Sequence, residues 1–365
     1  MLRALLTGAT LLCAAPAFAA PGACRGAEGM QAAGMDSARL CELLASFSAG
    51  SANFHGLVIE RHGTVVAEAY RRGADKKIGS LFSRTVDFDA NQRHDLRSIS
   101  KSVTSLLWGI AEAQDKTPPL DTSVLALLPE ARDLANAGRA TITLEQLFTM
   151  TSGLAWRESY SNPLADDEFG LSWRSSQARY LFDRPMASAP GVRFNYDGGS
   201  TAALAQILAA RTGMPLPEFA RRYLFDPLGI TDWEWVDDMR GRPLAYAGLR
   251  MRPRDLARIG RMILDHGRWN GRQIVPAAWL ERSLQRRIDT GDGLRYGYQW
   301  WAGKTAALDA THDWNAGFGN GGQRLFMTPG LDLVVVITAG DYGKPEIGRE
   351  ANALFRRIAA TVVKQ

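Results

Sequence analysis

Residues 97–105 read Arg97-Ser98-Ile99-Ser100-Lys101-Ser102-Val103-Thr104-Ser105, and this stretch decides the reading of the chain. It opens an amphipathic run reaching about Gln114, in which Val103, Leu106, Leu107 and Ile110 recur at helical spacing. Residues three apart on a helix share a face, so the Lys101 amine can reach the Ser98 hydroxyl. A serine is a weak nucleophile until a neighbouring base takes its proton. Lysine at its free pKa of about 10.4 cannot serve; burial with a second cation or hydroxyl nearby is needed to lower it. A serine at a helix N-terminus also presents its own N–H, which can serve an oxyanion. The chain contains no other Ser-x-x-Lys. Taken alone, the tetrapeptide is more plainly read as a helix cap followed by a solvated first-turn charge.

Outward from this helix, the N-terminal side shows a helical stripe from Ser37 to Phe47. Two strand-like runs follow, Gly56–Arg61 and Thr64–Tyr70, joined at His62-Gly63 as a hairpin. Pro118-Pro119 closes the Ser98 helix, and from there to about Pro227 the apolar pattern is mostly helical. Strand character returns at Tyr296–Trp301, Arg324–Met327 and Leu331–Thr338, with a Pro329-Gly330 turn between the last two. A final helix is expected over Glu346–Val363. Strands at both ends and helices between predict an α+β fold. The terminal segments (about 36–115 and 245–365) then build one antiparallel sheet with flanking helices, and a mostly helical lobe (about 116–244) is inserted between them.

Two further segments carry candidate chemistry. Tyr196-Asp197-Gly198 precedes a helix from about Ser200, and a tyrosine held against Lys101 could relay a proton; a packed aromatic at a helix entrance is the plainer reading. Gly317-Phe318-Gly319-Asn320-Gly321-Gly322-Gln323 enters a strand, where glycines let backbone N–H groups face an oxyanion; an ordinary loop before an edge strand is the alternative. No Gly-x-Ser-x-Gly elbow, His-Glu-x-x-His or phosphate-cradling loop occurs. The histidines (His55, His62, His94, His266 and His312) show no metal-ligand spacing, so neither metal nor cofactor is implied.

The composition, 46% apolar and 22% charged, is that of a globular protein. Arg3, the apolar run Ala4–Ala15 and Ala17-Phe18-Ala19 describe a secretory signal peptide over residues 1–19. Its removal takes the formal net charge from +5 to +4. The basic residues are dispersed, which argues against nucleic acid as a partner. No later run is long enough to span a membrane, so a soluble periplasmic or extracellular protein is expected. Of three cysteines, Cys13 leaves with the signal and Cys24 and Cys41 remain, an even pair compatible with a disulfide.

Taken together, the order and spacing of these elements resemble the serine β-lactamase and penicillin-binding superfamily. They look most like its esterase-like and aminohexanoate-dimer (nylon-oligomer) hydrolase branch. Further stretches share the likeness: Thr141–Trp156 (TITLEQLFTMTSGLAW), Gly248–Leu256 (GLRMRPRDL), Gly267–Gly271 (GRWNG) and Tyr296–Trp301 (YGYQWW). The resemblance spans most of residues 50–345. It implies a β-lactamase/transpeptidase-like fold, Ser98 as acyl-forming nucleophile, Lys101 as general base and Tyr196 as proton-transfer partner. It also implies an oxyanion hole from the N–H groups of Ser98 and Asn320, with Gly319 just before it and a register shift toward Gly317 left open. Tyr160 looks like a substrate-facing position of that branch; packing in the helical lobe is the alternative.

Two departures from the family pattern stand out. The usual Tyr-x-Asn ends here in Gly198, and the usual Lys-Thr-Gly is replaced by Gly317-Phe318-Gly319. Without that cationic strand, a small neutral ester or amide is the expected substrate of a secreted serine hydrolase. A β-lactam or cell-wall peptide is the alternative, and a non-catalytic binding module of the same fold a third reading. Oligomeric state is not encoded in any pattern found.

Overall fold

The structure, a computed structural model, describes residues 26–159 and 166–364. The signal-peptide segment, Cys24 and Tyr160 lie outside the described residues.

Eight strands form one antiparallel sheet. They are β1 (Phe54–Arg61), β2 (Thr64–Tyr70), β3 (Ile288–Asp289), β4 (Arg295–Tyr296), β5 (Trp301–Ala307), β6 (Ala310–Gly319), β7 (Gln323–Thr328) and β8 (Leu333–Ala339). Their spatial order is β3-β4-β5-β6-β7-β8-β1-β2, so the N-terminal hairpin is added beside the last strand. In the β1–β8 ladder Leu57 faces Ile337, Val58 faces Val336 and Ile59 faces Val335. Because side chains alternate across a strand, Leu57, Ile59, Leu333, Val335 and Ile337 enter one core, and Val58, Val334 and Val336 the other. Both faces of the sheet are covered, which explains the unbroken apolar run Leu333–Ile337 within the stretch read as Leu331–Thr338.

The first face carries α1 (Ser37–Ala49) and α6 (Pro345–Ala359), through Leu40, Leu43 and Phe47 of α1 and Leu354, Phe355 and Ile358 of α6. Each such side chain contributes about 1.5–3 kcal/mol by leaving water. The second face carries α2 (Ile99–Glu112) and α5 (Pro253–Leu264). Between residues 116 and 232 the described chain adds helices and no strand to the main sheet; among these helices are α3 (Asp167–Leu171) and α4 (Gly198–Thr212). None of the described helices is long and apolar enough to cross a membrane.

Three sequence expectations need correction. The glycine-rich run does enter a strand, β7, at Gln323, but from a hairpin turn: Gly317–Gly319 are the last residues of β6, a ten-residue strand absent from the pattern reading. Tyr296–Trp301 is not one strand but the end of β4, a turn with Gln299 at φ 66°, and the start of β5. Two of the five histidines also come together in space: His55 Nδ1 and His94 Nε2 are 2.8 Å apart, with Asp75 beside them. That cluster joins three separate segments, which linear spacing does not register. Cys41 on α1 is disulfide-bonded, and no second cysteine occurs among the described residues.

Candidate active site

The turn into α2 is held from several sides. Arg97 has φ 51°, a left-handed conformation that costs about 1–2 kcal/mol for a side-chain-bearing residue. The short strand His94–Asp95 before it pairs with Leu249–Met251, and Leu96 N–H donates to Leu249 O at 3.0 Å. Ser100 Oγ accepts the Leu249 N–H at 3.0 Å, tying the first helical turn to the same segment. Ser98 occupies the cap position, yet its side chain makes no capping bond. Its oxygen accepts instead from Lys101 Nζ at 3.0 Å. Lys101 is fully buried, so it is no solvated first-turn charge.

Lys101 spends its other donors on Glu168 Oε2 at 2.9 Å and Tyr246 O at 3.2 Å. Three acceptors satisfy the three N–H bonds of an ammonium. Burial alone would lower the amine, but the charges of Glu168 and Glu158 outweigh it and hold Lys101 above its ordinary value. The lowering expected from a second cation or hydroxyl is therefore replaced by a carboxylate that keeps the resting lysine charged.

Glu168 carries no motif and was not read from the sequence. It sits in the first turn of α3, whose N-terminus is capped by Asp166 Oδ1 accepting from Glu168 N at 2.8 Å and Phe169 N at 3.1 Å. A Cβ built on Gly198 would overlap Glu168 Oε2. The carboxylate thus fills the volume that an amide side chain occupies in the Tyr-x-Asn pattern. Glu158 lies against it, and burial, then the charge of Glu168, pushes its carboxyl well above the usual range.

Tyr196 stands just before α4. Asp197 caps that helix through the Ser200 N–H and hydroxyl, the latter at 2.9 Å. Asn195 Nδ2 anchors the segment to Leu154 O at 3.1 Å and Trp156 O at 3.3 Å. The Tyr196 ring lies 4.9 Å from Lys101 Nζ, and its side chain lines the same cavity as Ser98. Burial, then the Glu158 charge, raises its pKa well above the ordinary value, so it is a neutral phenol. Tyr296 and Trp301 pack on that ring at centroid distances of 6.1 and 5.5 Å.

The end of β6 reaches the same point because glycine lets it. A Cβ on Gly319 would overlap Leu96 O, and one on Gly317 would press on Ile99 at 3.1 Å. Neither the Ser98 nor the Asn320 N–H donates to any acceptor among the described residues, so both amides are available to a ligand oxygen. Ser98, Tyr196, Gly319 and Asn320 line one cavity of about 490 Å³, together with Trp301, Phe318 and Arg324. Gly198 is buried and does not line it. Gln299, within the YGYQWW stretch, braces the site from behind: its carbonyl accepts from Ser102 Oγ at 2.6 Å and its side chain from Thr201 Oγ1 at 2.7 Å.

The family model described as Beta-lactamase matches residues 45–359. A 6-aminohexanoate-dimer hydrolase of Paenarthrobacter ureafaciens is 27% identical over 299 residues, covering 76% of this chain and 70% of that protein. A lovastatin esterase of Penicillium rubens is 29% identical over 140 residues, 34% of this chain and 32% of the esterase. Among solved structures, a hydrolase with promiscuous acyltransferase activity aligns with TM-score 0.69 at 17% identity, covering 91% of this chain and 99% of that one. At that identity the likeness concerns the fold.

Proposed function

The chain belongs to the beta-lactamase family and is a serine hydrolase of it, and we propose that it cleaves a small ester or amide through an acyl-enzyme on Ser98. The observation that carries this reading is Lys101 Nζ, buried and 3.0 Å from Ser98 Oγ, beside a cavity that also holds Tyr196 and Asn320.

In the proposed cycle, Lys101 first loses a proton to solvent and becomes a neutral amine. Ser98 Oγ then bonds to the substrate carbonyl carbon while its proton passes to Lys101. The carbonyl oxygen becomes an oxyanion, met by the N–H groups of Ser98 and Asn320. As the carbonyl re-forms, the bond to the leaving alcohol or amine breaks, and Tyr196 hands that group the proton, reloaded from Lys101. Water repeats the sequence on the acyl-enzyme and releases the acid.

The names of two relatives, an amide-dimer hydrolase and an esterase, support the substrate class. So does β6, which ends in Gly317-Phe318-Gly319 where a Lys-Thr-Gly would present a cation to a β-lactam carboxylate. We also propose export, directed by the segment ending at Ala19. The test is a panel of chromogenic esters, anilides and β-lactams on purified protein, with Ser98→Ala as control. Turnover of esters or anilides that is lost in Ser98→Ala is expected; turnover surviving in that variant would sink the mechanism.

A further inference from the structure

We infer that Arg324 is a positioning residue for the oxyanion donor, acting through the peptide that joins Gly319 to Asn320; the inference rests on the acyl-transfer reading above. Arg324 opens toward the cavity from β7, directly opposite Phe318 of β6, and is only 7% exposed. Its guanidinium lies 4.1 Å from the Phe318 ring centroid. Nη1 donates to Gly319 O at 3.4 Å and Gln323 O at 2.8 Å, Nη2 to Gly348 O at 3.1 Å, and Nε to Asn352 Oδ1 at 2.8 Å. Every acceptor is neutral. No carboxylate among the described residues pairs with it, whereas Lys344 and Arg349 on the same cavity are paired with Asp341 and Glu346.

A buried cation without a counterion is costly, and burial pushes this guanidinium down to about 9. Fixed donors and an unbalanced positive charge are what a developing oxyanion requires, because they are in place before the charge appears. The geometry supplies a specific route. A peptide whose carbonyl accepts a hydrogen bond is polarised, and its N–H becomes a better donor. Gly319 O and Asn320 N belong to one peptide unit. Arg324 pulls on the carbonyl end, and the N–H end lines the cavity beside Ser98. The same guanidinium ties the β6–β7 hairpin to α6 through Gly348 and Asn352, while Gly343 N donates to Asn320 Oδ1 at 2.8 Å from the other side.

The test compares Arg324→Gln and Arg324→Lys with the unaltered chain on the best ester of the substrate panel. Thermal unfolding verifies the fold of each variant, and two affinities are measured: KM for the ester, and Ki for an arylboronic acid that forms a tetrahedral adduct on Ser98. Arg324→Gln is expected to lower kcat about tenfold or more, leave KM within about threefold, and weaken the boronate in parallel with kcat. Arg324→Lys, which keeps the charge and loses the fork, should recover part of both. Unchanged kcat and boronate affinity in folded Arg324→Gln would overturn the inference, as would a KM effect alone, the mark of a substrate-docking cation. Should Arg324→Gln not fold, Arg324→Lys decides by the same split: a parallel loss in kcat and boronate affinity supports the role, and no loss removes it. Ser98→Ala retaining turnover is a separate outcome that would instead remove the acyl-enzyme reading.

Discussion

At the level of single residues, the pair that spacing could reveal was Ser98 and Lys101, because three residues is one helical turn and the helix is written in its own periodicity. Glu168 was illegible: it lies 67 positions from Lys101 on a short helix with no motif. The only trace was indirect, in that a glycine at position 198 leaves a volume that some other atom has to fill. Glu168 holds the resting lysine charged, while the proposed mechanism needs it neutral. The rate should therefore rise with pH as Lys101 deprotonates. In Glu168→Gln the stabilising charge is gone and burial acts unopposed by it, so the amine pKa falls and the rising limb of kcat/KM moves to lower pH. A limb that stays in place would show that Lys101 is not the group being titrated. Gly198→Ala should overlap Glu168, lowering both melting temperature and activity, and Glu168→Ala in the same chain should recover the melting temperature. A double-mutant cycle measures that coupling, and additive effects would contradict the packing described.

At the level of elements, the helices and the N-terminal hairpin were readable and the longest strand was not. His62 (φ 52°) and Gly63 (φ 77°) make a left-handed two-residue turn that β1 and β2 advertise by sequence. The turn between β5 and β6 has the same hand but is built from Leu308 (φ 52°) and Asp309 (φ 58°), without an Asn-Gly or other glycine signal. Neither flanking strand is rich in β-branched residues, so nothing local announced the hairpin; it is specified by pairing with β4 and β7. The far end of β6 was noticed for its glycines, and packing explains them: the strand passes too close to the start of α2 for a side chain. In Gly319→Ala the obstructing atom is backbone, the Leu96 carbonyl, and cannot swing aside. We expect a loss of about 1–3 kcal/mol in denaturant unfolding and a fall in kcat of at least about tenfold, since the strand end shifts with its oxyanion amide. Unaltered kinetics in that variant would mean that the strand end does not serve the reaction.

At the level of the whole molecule, the sheet and its helices position the site, and a buried histidine pair links the sheet to the nucleophile. His55 on β1 bonds to His94, four residues before Ser98. Burial, then the neighbouring His94, lowers His55 to about 3. A histidine lowered on folding contributes stability that is fully present above its unfolded value of about 6.5 and drains away as pH falls toward 3. Melting temperature should therefore decline between pH 6.5 and 4, and His55→Gln should flatten that decline; an equal slope in both proteins would assign the acid sensitivity elsewhere. The strand order has a further consequence, one of timing. During synthesis β1 and β2 leave the ribosome early, but the neighbour that covers β1 is β8, encoded some 270 residues later. Between those moments an apolar strand edge stands open, the condition under which chains pair with one another instead of with themselves. The hairpin carrying Asn320 emerges in the same late interval. Hydrolytic competence and protection from aggregation thus arrive together, with β6 to β8, so a chain made only as far as β5 should be inactive.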